Sequence, residues 1–149
     1  MTRFSLEANA LVYAADGRAG RRHARALHIL VSAARRDCVL TLQALGEFFH
    51  AATRKRTVPR HDAAAQAMDL LAIFRTAAAD VEAFRTALEG AERGTRSFWD
   101  GVLIATVARA GCDFLLSEDM QDGARFGGVT ILDPFVGDEL PEAVAALLR

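Results

Sequence analysis

Apolar positions along this chain follow two rhythms. Short runs of three or four predict strands at Phe4–Leu6, Cys38–Leu40, Asp113–Leu116 and Val129–Leu132, with a weaker one over Ala77–Val81. Between them the spacing turns helical. Ala8–Ala15 predicts a turn into a short helix. From Arg18 onward Leu27, Leu30, Val31 and Ala34 form an inward face. Leu42–Lys55 turns Leu45, Phe48, Phe49 and Ala52 inward, and His61–Phe74 turns Met68, Leu71 and Ala72 inward. Glu82–Arg93 stops at Gly94, Ser97–Ala110 stops at Gly111, and Pro141–Leu148 closes the chain. Strands alternating with helices predict an α/β fold with a mainly parallel sheet, one domain over residues 1–149. In such sheets ligands bind beyond the carboxyl ends of the strands.

Composition narrows the classes. Apolar residues are 52 % of the chain, which excludes a disordered protein. No run approaches the ~20 apolar residues of a membrane span. Glu7 interrupts any signal-peptide core, so a cytoplasmic protein is expected. Cys38 and Cys112 lack metal-ligand spacing and read as buried thiols. Charge is uneven: residues 1–60 hold eleven Arg or Lys against four Asp or Glu, and the remainder seven against fifteen. A polyanion on one side and a cation on the other would suit that split. Arg18, Arg21, Arg22 and Arg25 share one helical face, and Arg54 and Lys55 cluster further on; both groups are candidate phosphate contacts. The alternative is a solvated face. Phosphate-binding glycine loops are absent, and the four histidines have no nucleophile beside them.

The acids carry the chemistry. Asp100 lies in line with Leu103, Ile104 and Val107, at the spacing of a core-facing stripe. A carboxylate there needs a cap, a cation or a metal. Glu7 and Asp119 follow strands, and Glu47 sits on a helix with alanines to either side. Each has a simpler reading alone: Ser97-x-x-Asp100 as a capping box, Glu47 as a solvated acid, Asp119 and Asp122 as turn formers, Glu7 as a strand-end charge. Together, four carboxylates at one sheet edge have the composition of a Mg²⁺ or Mn²⁺ site.

These segments resemble the PIN-domain ribonucleases, most of all the VapC-like toxins of type II toxin–antitoxin pairs. S-L-E-A-N-A-L-V-Y-A is similar to the family's first-strand motif, and T-L-Q-A-L-G-E-F-F to its second acidic helix. The stretch S-F-W-D-G-V-L-I-A-T-V-A-R-A-G-C-D-F-L-L-S-E-D-M-Q-D-G resembles its long third and fourth block, and G-V-T-I-L-D-P-F its closing strand. The resemblance implies a three-layer α/β/α PIN-like fold and a Mg²⁺- or Mn²⁺-dependent endoribonuclease. By position, Glu7, Glu47, Asp100 and Asp119 would be its acidic quartet, with Glu7, Asp100 and Asp119 holding the metal. Asn9 and Ser117 would support them, and Asp122 would be an additional acid. A homodimer, an RNA substrate and a small antitoxin protein are implied as partners.

One position departs from the pattern. The family's first ligand is typically Asp followed by a small hydroxyl residue, whereas this chain has Glu7-Ala8. The extra methylene moves the carboxylate by up to about 1.5 Å, and magnesium tolerates little displacement. A catalytically weak module that binds RNA or antitoxin is therefore the alternative to the nuclease. A metal-dependent phosphatase would want an Asp nucleophile at position 7, where the chain has Glu7.

Overall fold

The structure, a computed structural model, describes every residue except Lys55 and Thr57. Six strands and seven α-helices are present among the described residues: β1 Phe4–Leu6, α1 Ala8–Ala15, α2 Arg21–Ala33, β2 Val39–Thr41, α3 Leu42–Arg54, α4 Arg60–Ile73, β3 Arg75–Ala77, α5 Val81–Glu92, α6 Phe98–Arg109, β4 Phe114–Leu116, β5 Arg125–Phe126, β6 Val129–Leu132 and α7 Glu142–Leu148. Strands β1, β4 and β6 pair in parallel, and β5 joins β6 antiparallel at the edge. Strands β2 and β3 pair in parallel, and a parallel bridge from Phe4 to Cys38 ties them to β1. The spatial order is thus β3-β2-β1-β4-β6-β5, with all strands but β5 running the same way.

Alternation along the strands builds two cores. Leu115, Val129, Ile131 and Val39 point to α6, where Leu103, Ile104 and Val107 meet them. Leu6, Leu40 and Leu116 point the other way, into a core with Leu11, Ile29, Phe48, Leu70 and Val144. Helices therefore cover both faces: α6, backed by α5, on one, and α1 to α4 with α7 on the other. This is the expected three-layer α/β/α arrangement. Helix α6 starts at Ser97, whose Oγ accepts the Asp100 amide at 3.2 Å, and ends before Gly111 at φ 78°. No helix among the described residues is long and apolar enough to cross a membrane.

Two helices present a different face from the one their large residues suggest. On α2 the buried positions are Ala26, Ile29 and Ala33, while Leu27 is 40 % and Val31 61 % exposed and Ala34 lies outward. On α4 they are Ala63 and Leu70, while Met68, Leu71 and Ala72 face outward. The small residues face in because α2 packs closely on α1, and α4 on α3. Arg18 lies before α2, in a single 3₁₀ turn over Gly17–Ala19. The weak third strand forms at Arg75–Ala77, earlier than the pattern placed it, and β5 escaped the pattern altogether.

The corrected α4 face sets a test. Leu70→Ala should cost about 2–4 kcal/mol, and Met68→Ala less than about 0.5 kcal/mol. Urea unfolding of both variants measures it; equal losses would contradict the packing described.

Candidate functional site

Glu7 lies immediately after β1. Its backbone N–H extends the parallel pairing by donating to the Leu116 carbonyl at 3.0 Å. It occupies the N-cap position of α1, yet its side chain makes no capping hydrogen bond. The residue is 6 % exposed, and its Oε2 is buried without a hydrogen-bond partner. Burial is the largest cause that pushes the Glu7 carboxyl up to about 7. A hydrogen bond from Ser117 opposes that rise. Repulsion from Asp119 and Asp100 adds to it, as does a hydrogen bond to Asp119 made by the protonated form. Three carboxylates from β1, α6 and the loop after β4 thus act on one another.

That loop is tightly specified. The Ser117 amide donates to the Leu132 carbonyl at 3.0 Å, and its buried hydroxyl accepts the Asp119 amide at 3.2 Å. Asn9, on the first turn of α1, donates through Nδ2 to Asp119 Oδ2 at 2.9 Å. Asp119 itself is exposed. Asp100 is half-buried at the start of α6, at the sheet edge where its stripe of core residues ends. Ser97 caps the Asp100 amide, so half of the expected capping box is present, and its carboxylate is not needed for it.

Glu47 is exposed on α3. Gln43 donates through Nε2 both to Glu47 Oε1 at 3.0 Å and to the Trp99 carbonyl at 3.1 Å, which ties Glu47 to the first turn of α6. Trp99, the single tryptophan, is 58 % exposed and meets Phe98 edge-on at 5.0 Å. Asp122 is exposed and accepts the Asp133 amide at 2.8 Å, joining this loop to the end of β6.

The arginine stripe is bonded within the chain. Arg18 pairs with Asp16 at 3.3 Å, Arg21 with Asp138 at 2.9 Å and Arg22 with Glu118 at 3.5 Å. Arg25 donates to the carbonyls of Pro134, Val136 and Gly137. Arg54 is exposed at the end of α3, and Lys55 lies outside the described residues.

Two residues with no role in the sequence reading sit beside this cluster. Tyr13 donates its hydroxyl to Glu118 Oε1, and both are half-buried. Burial, then Glu118, pushes the Tyr13 phenol up to about 12. Tyr13 lies in an apolar run that reads as core, and Glu118 is 105 positions away. The i, i+4 spacing of Asn9 and Tyr13 was the one available signal.

The donor set is all oxygen, and its buried member has an unpartnered atom and two repelling neighbours. Such a set fits a hard divalent cation. Among the described residues no three acids, histidines or cysteines stand close enough together to form a ready-made metal cage. Of these acids, Asp119 and then Asp100 act on Glu7 by repulsion.

No family model matches the sequence, and no curated protein matches it significantly. Solved structures do. VapC20 of Mycobacterium tuberculosis, a sarcin–ricin-loop-cleaving toxin, superposes with a TM-score of 0.63 at 18 % identity, over 78 % of this chain and 91 % of its own. VapBC2 of Rickettsia felis, solved on a DNA fragment from its promoter, gives 0.61 at 11 % identity, over 87 % and 97 %. DNA-bound VapBC of Salmonella typhimurium gives 0.61 at 15 % identity, over 88 % and 97 %. At these identities the likeness is one of fold, and the fold is the PIN-like fold of the VapC toxins.

Glu7 gives the metal-free protein a pH dependence. Its carboxyl holds a proton to about 7 when folded and to the ordinary 4.5 when unfolded. Between those values the folded chain binds more protons, so stability falls as pH rises through that window. With EDTA present, the native protein should lose on the order of 2 kcal/mol between pH 5 and 8 relative to Glu7→Gln. Thermal melts across that range measure the difference, and parallel curves for the two proteins would rule it out.

Proposed function

We propose that this PIN-fold chain is a Mg²⁺- or Mn²⁺-dependent endoribonuclease, the toxin of a cytoplasmic toxin–antitoxin pair. The observation that carries the reading is the buried Glu7 carboxylate, whose Oε2 has no partner and which Asp119 and Asp100 repel. Glu7, Asp100 and Asp119 would hold the cation. When bound, such an ion polarises a phosphoryl oxygen and lowers the pKa of a water. The chain's own residues do the rest. Ser117 and Asn9 fix the orientation of Glu7 and Asp119. Glu47, tethered by Gln43 beside α6, is a further ligand or the base that orients the attacking water. Arg18, Arg21 and Arg54 present exposed cations to the RNA backbone. Arg25 reaches a phosphate once released from its contacts within the chain, while Arg22 stays paired with Glu118. Asp122 serves the site by holding the loop that carries Asp119.

A small antitoxin and a second copy of the chain are the protein partners of this reading. The two VapBC neighbours motivate the first. Exposed apolar side chains, Leu27, Val31 and Met68 on one side and Phe84 and Leu88 on the other, provide surface for both.

Asp100→Asn should reduce cleavage of unpaired RNA by more than about a hundredfold, beyond the 10–100-fold typical of outer groups at metal sites. EDTA should do the same to the native protein. Mg²⁺-dependent fragments from the variant at the native rate would refute the assignment.

The second reading, a weak module that binds RNA or antitoxin without efficient cleavage, is favoured by one observation. Glu7 is followed by Ala8, so the carboxylate sits on an arm one methylene longer than an Asp and no hydroxyl stands beside it. Glu7→Asp distinguishes the two. Under the weak-module reading it binds Mn²⁺ about tenfold more tightly and cuts faster; unchanged affinity and rate leave the full nuclease.

A further inference from the structure

Three consecutive residues leave β4, and α1 bonds the second and third of them. The first, Ser117, accepts the Asp119 amide through its own hydroxyl at 3.2 Å. Asn9 donates to Asp119 at 2.9 Å. Tyr13, one turn further along the same face, donates to Glu118. The Glu118 side chain is only 14 % exposed, and a carboxylate that far from water requires partners. Its second oxygen faces Arg22 Nε at 3.5 Å. The Arg22 guanidinium stands 5.6 Å from the centroid of the Tyr13 ring, and Phe135 meets that ring edge-on at 5.0 Å. The tyrosine is thus held on several sides with its hydroxyl aimed at Glu118.

Asp119, in contrast, is exposed, and Asn9 is the side chain that holds its carboxylate. Glu118 and Asp119 share a peptide unit, so the direction of one fixes the course of the other. We propose that Tyr13 and Glu118 are positioning residues for the divalent-cation site, anchoring the Ser117–Asp119 turn so that Asp119 faces Glu7. Arg22 then serves the site by neutralising Glu118 rather than by meeting RNA. The inference rests on the metal-dependent reading above and adds to it the anchor that presets the Asp119 ligand.

Calorimetric titration with Mn²⁺ tests it on the native chain, Tyr13→Phe, Glu118→Gln and the double variant. Tyr13→Phe should bind Mn²⁺ about tenfold more weakly. The double variant should be no weaker than the weaker single, because both substitutions remove one contact. Raised Mn²⁺ should restore cleavage by Tyr13→Phe. Leu70→Ala, destabilised on α4, should keep native affinity, which separates positioning from a general loss of stability. Native Mn²⁺ affinity in Tyr13→Phe, or additive losses in the double variant, would overturn the proposal. Asp119→Asn keeps the two readings apart: native affinity there overturns the metal site itself, whereas a loss there beside an unaffected Tyr13→Phe overturns only the anchor.

Discussion

The parallel pairing of β1 with β4 places Leu6 opposite Leu116, and the chain on either side then has little freedom. Glu7 continues the ladder by one hydrogen bond and becomes both the last strand residue and the cap of α1. Ser117 leaves β4 at the same level. Neither position is open to water, since the layers of helices close over both. A carboxylate is thereby held at the sheet edge with few partners, and Asp119 and Asp100 intensify its discomfort instead of relieving it. The surrounding bonds, from Ser117, Asn9 and Tyr13, keep this group from relaxing apart. A buried charge without compensation is among the costlier features a fold can carry, and its presence where the strands end is what a functional reading has to explain.

The layers supply that rigidity by unequal means. On the α6 side, a continuous run of buried residues from Gly101 to Val107 seats the helix firmly against the sheet. Gly101 lets α5 approach so closely that a Cβ there would stand 3.1 Å from the Ala87 backbone. The start of α6, and Asp100 with it, is fixed as a result. On the other side Ala26, Ala33 and Ala63 line the close contacts beside Ile29 and Leu70, and Leu27, Val31, Met68 and Leu71 lie outward.

This difference decides how much could be read in advance. The positions of β1, β2, β4 and β6, the Ser97 cap, the Gly111 stop and the acids at the strand ends were legible, because local spacing and turn chemistry specify them. The inward faces of α2 and α4 were not. A reading weighted by size turns Leu27 and Met68 to the core, whereas close helix packing selects Ala26 and Ala63. Tyr13 and Glu118 were hidden for another reason. Their contact spans 105 positions, and nothing in either neighbourhood marks a phenol as a hydrogen-bond donor rather than a core aromatic. Arg21, Arg22 and Arg25 were legible as a group on α2, but not the acids and carbonyls that meet them, since these come from the far end of the chain.

Trp99 stands one residue from Asp100, largely in water and in edge contact with Phe98. Because it is the single indole in the chain, the emission that dominates the protein's ultraviolet fluorescence originates on the first turn of α6, one residue from Asp100. A change in the packing or exposure of that turn changes the polarity around this one chromophore. The fold thus carries its own optical label on the helix that bears Asp100.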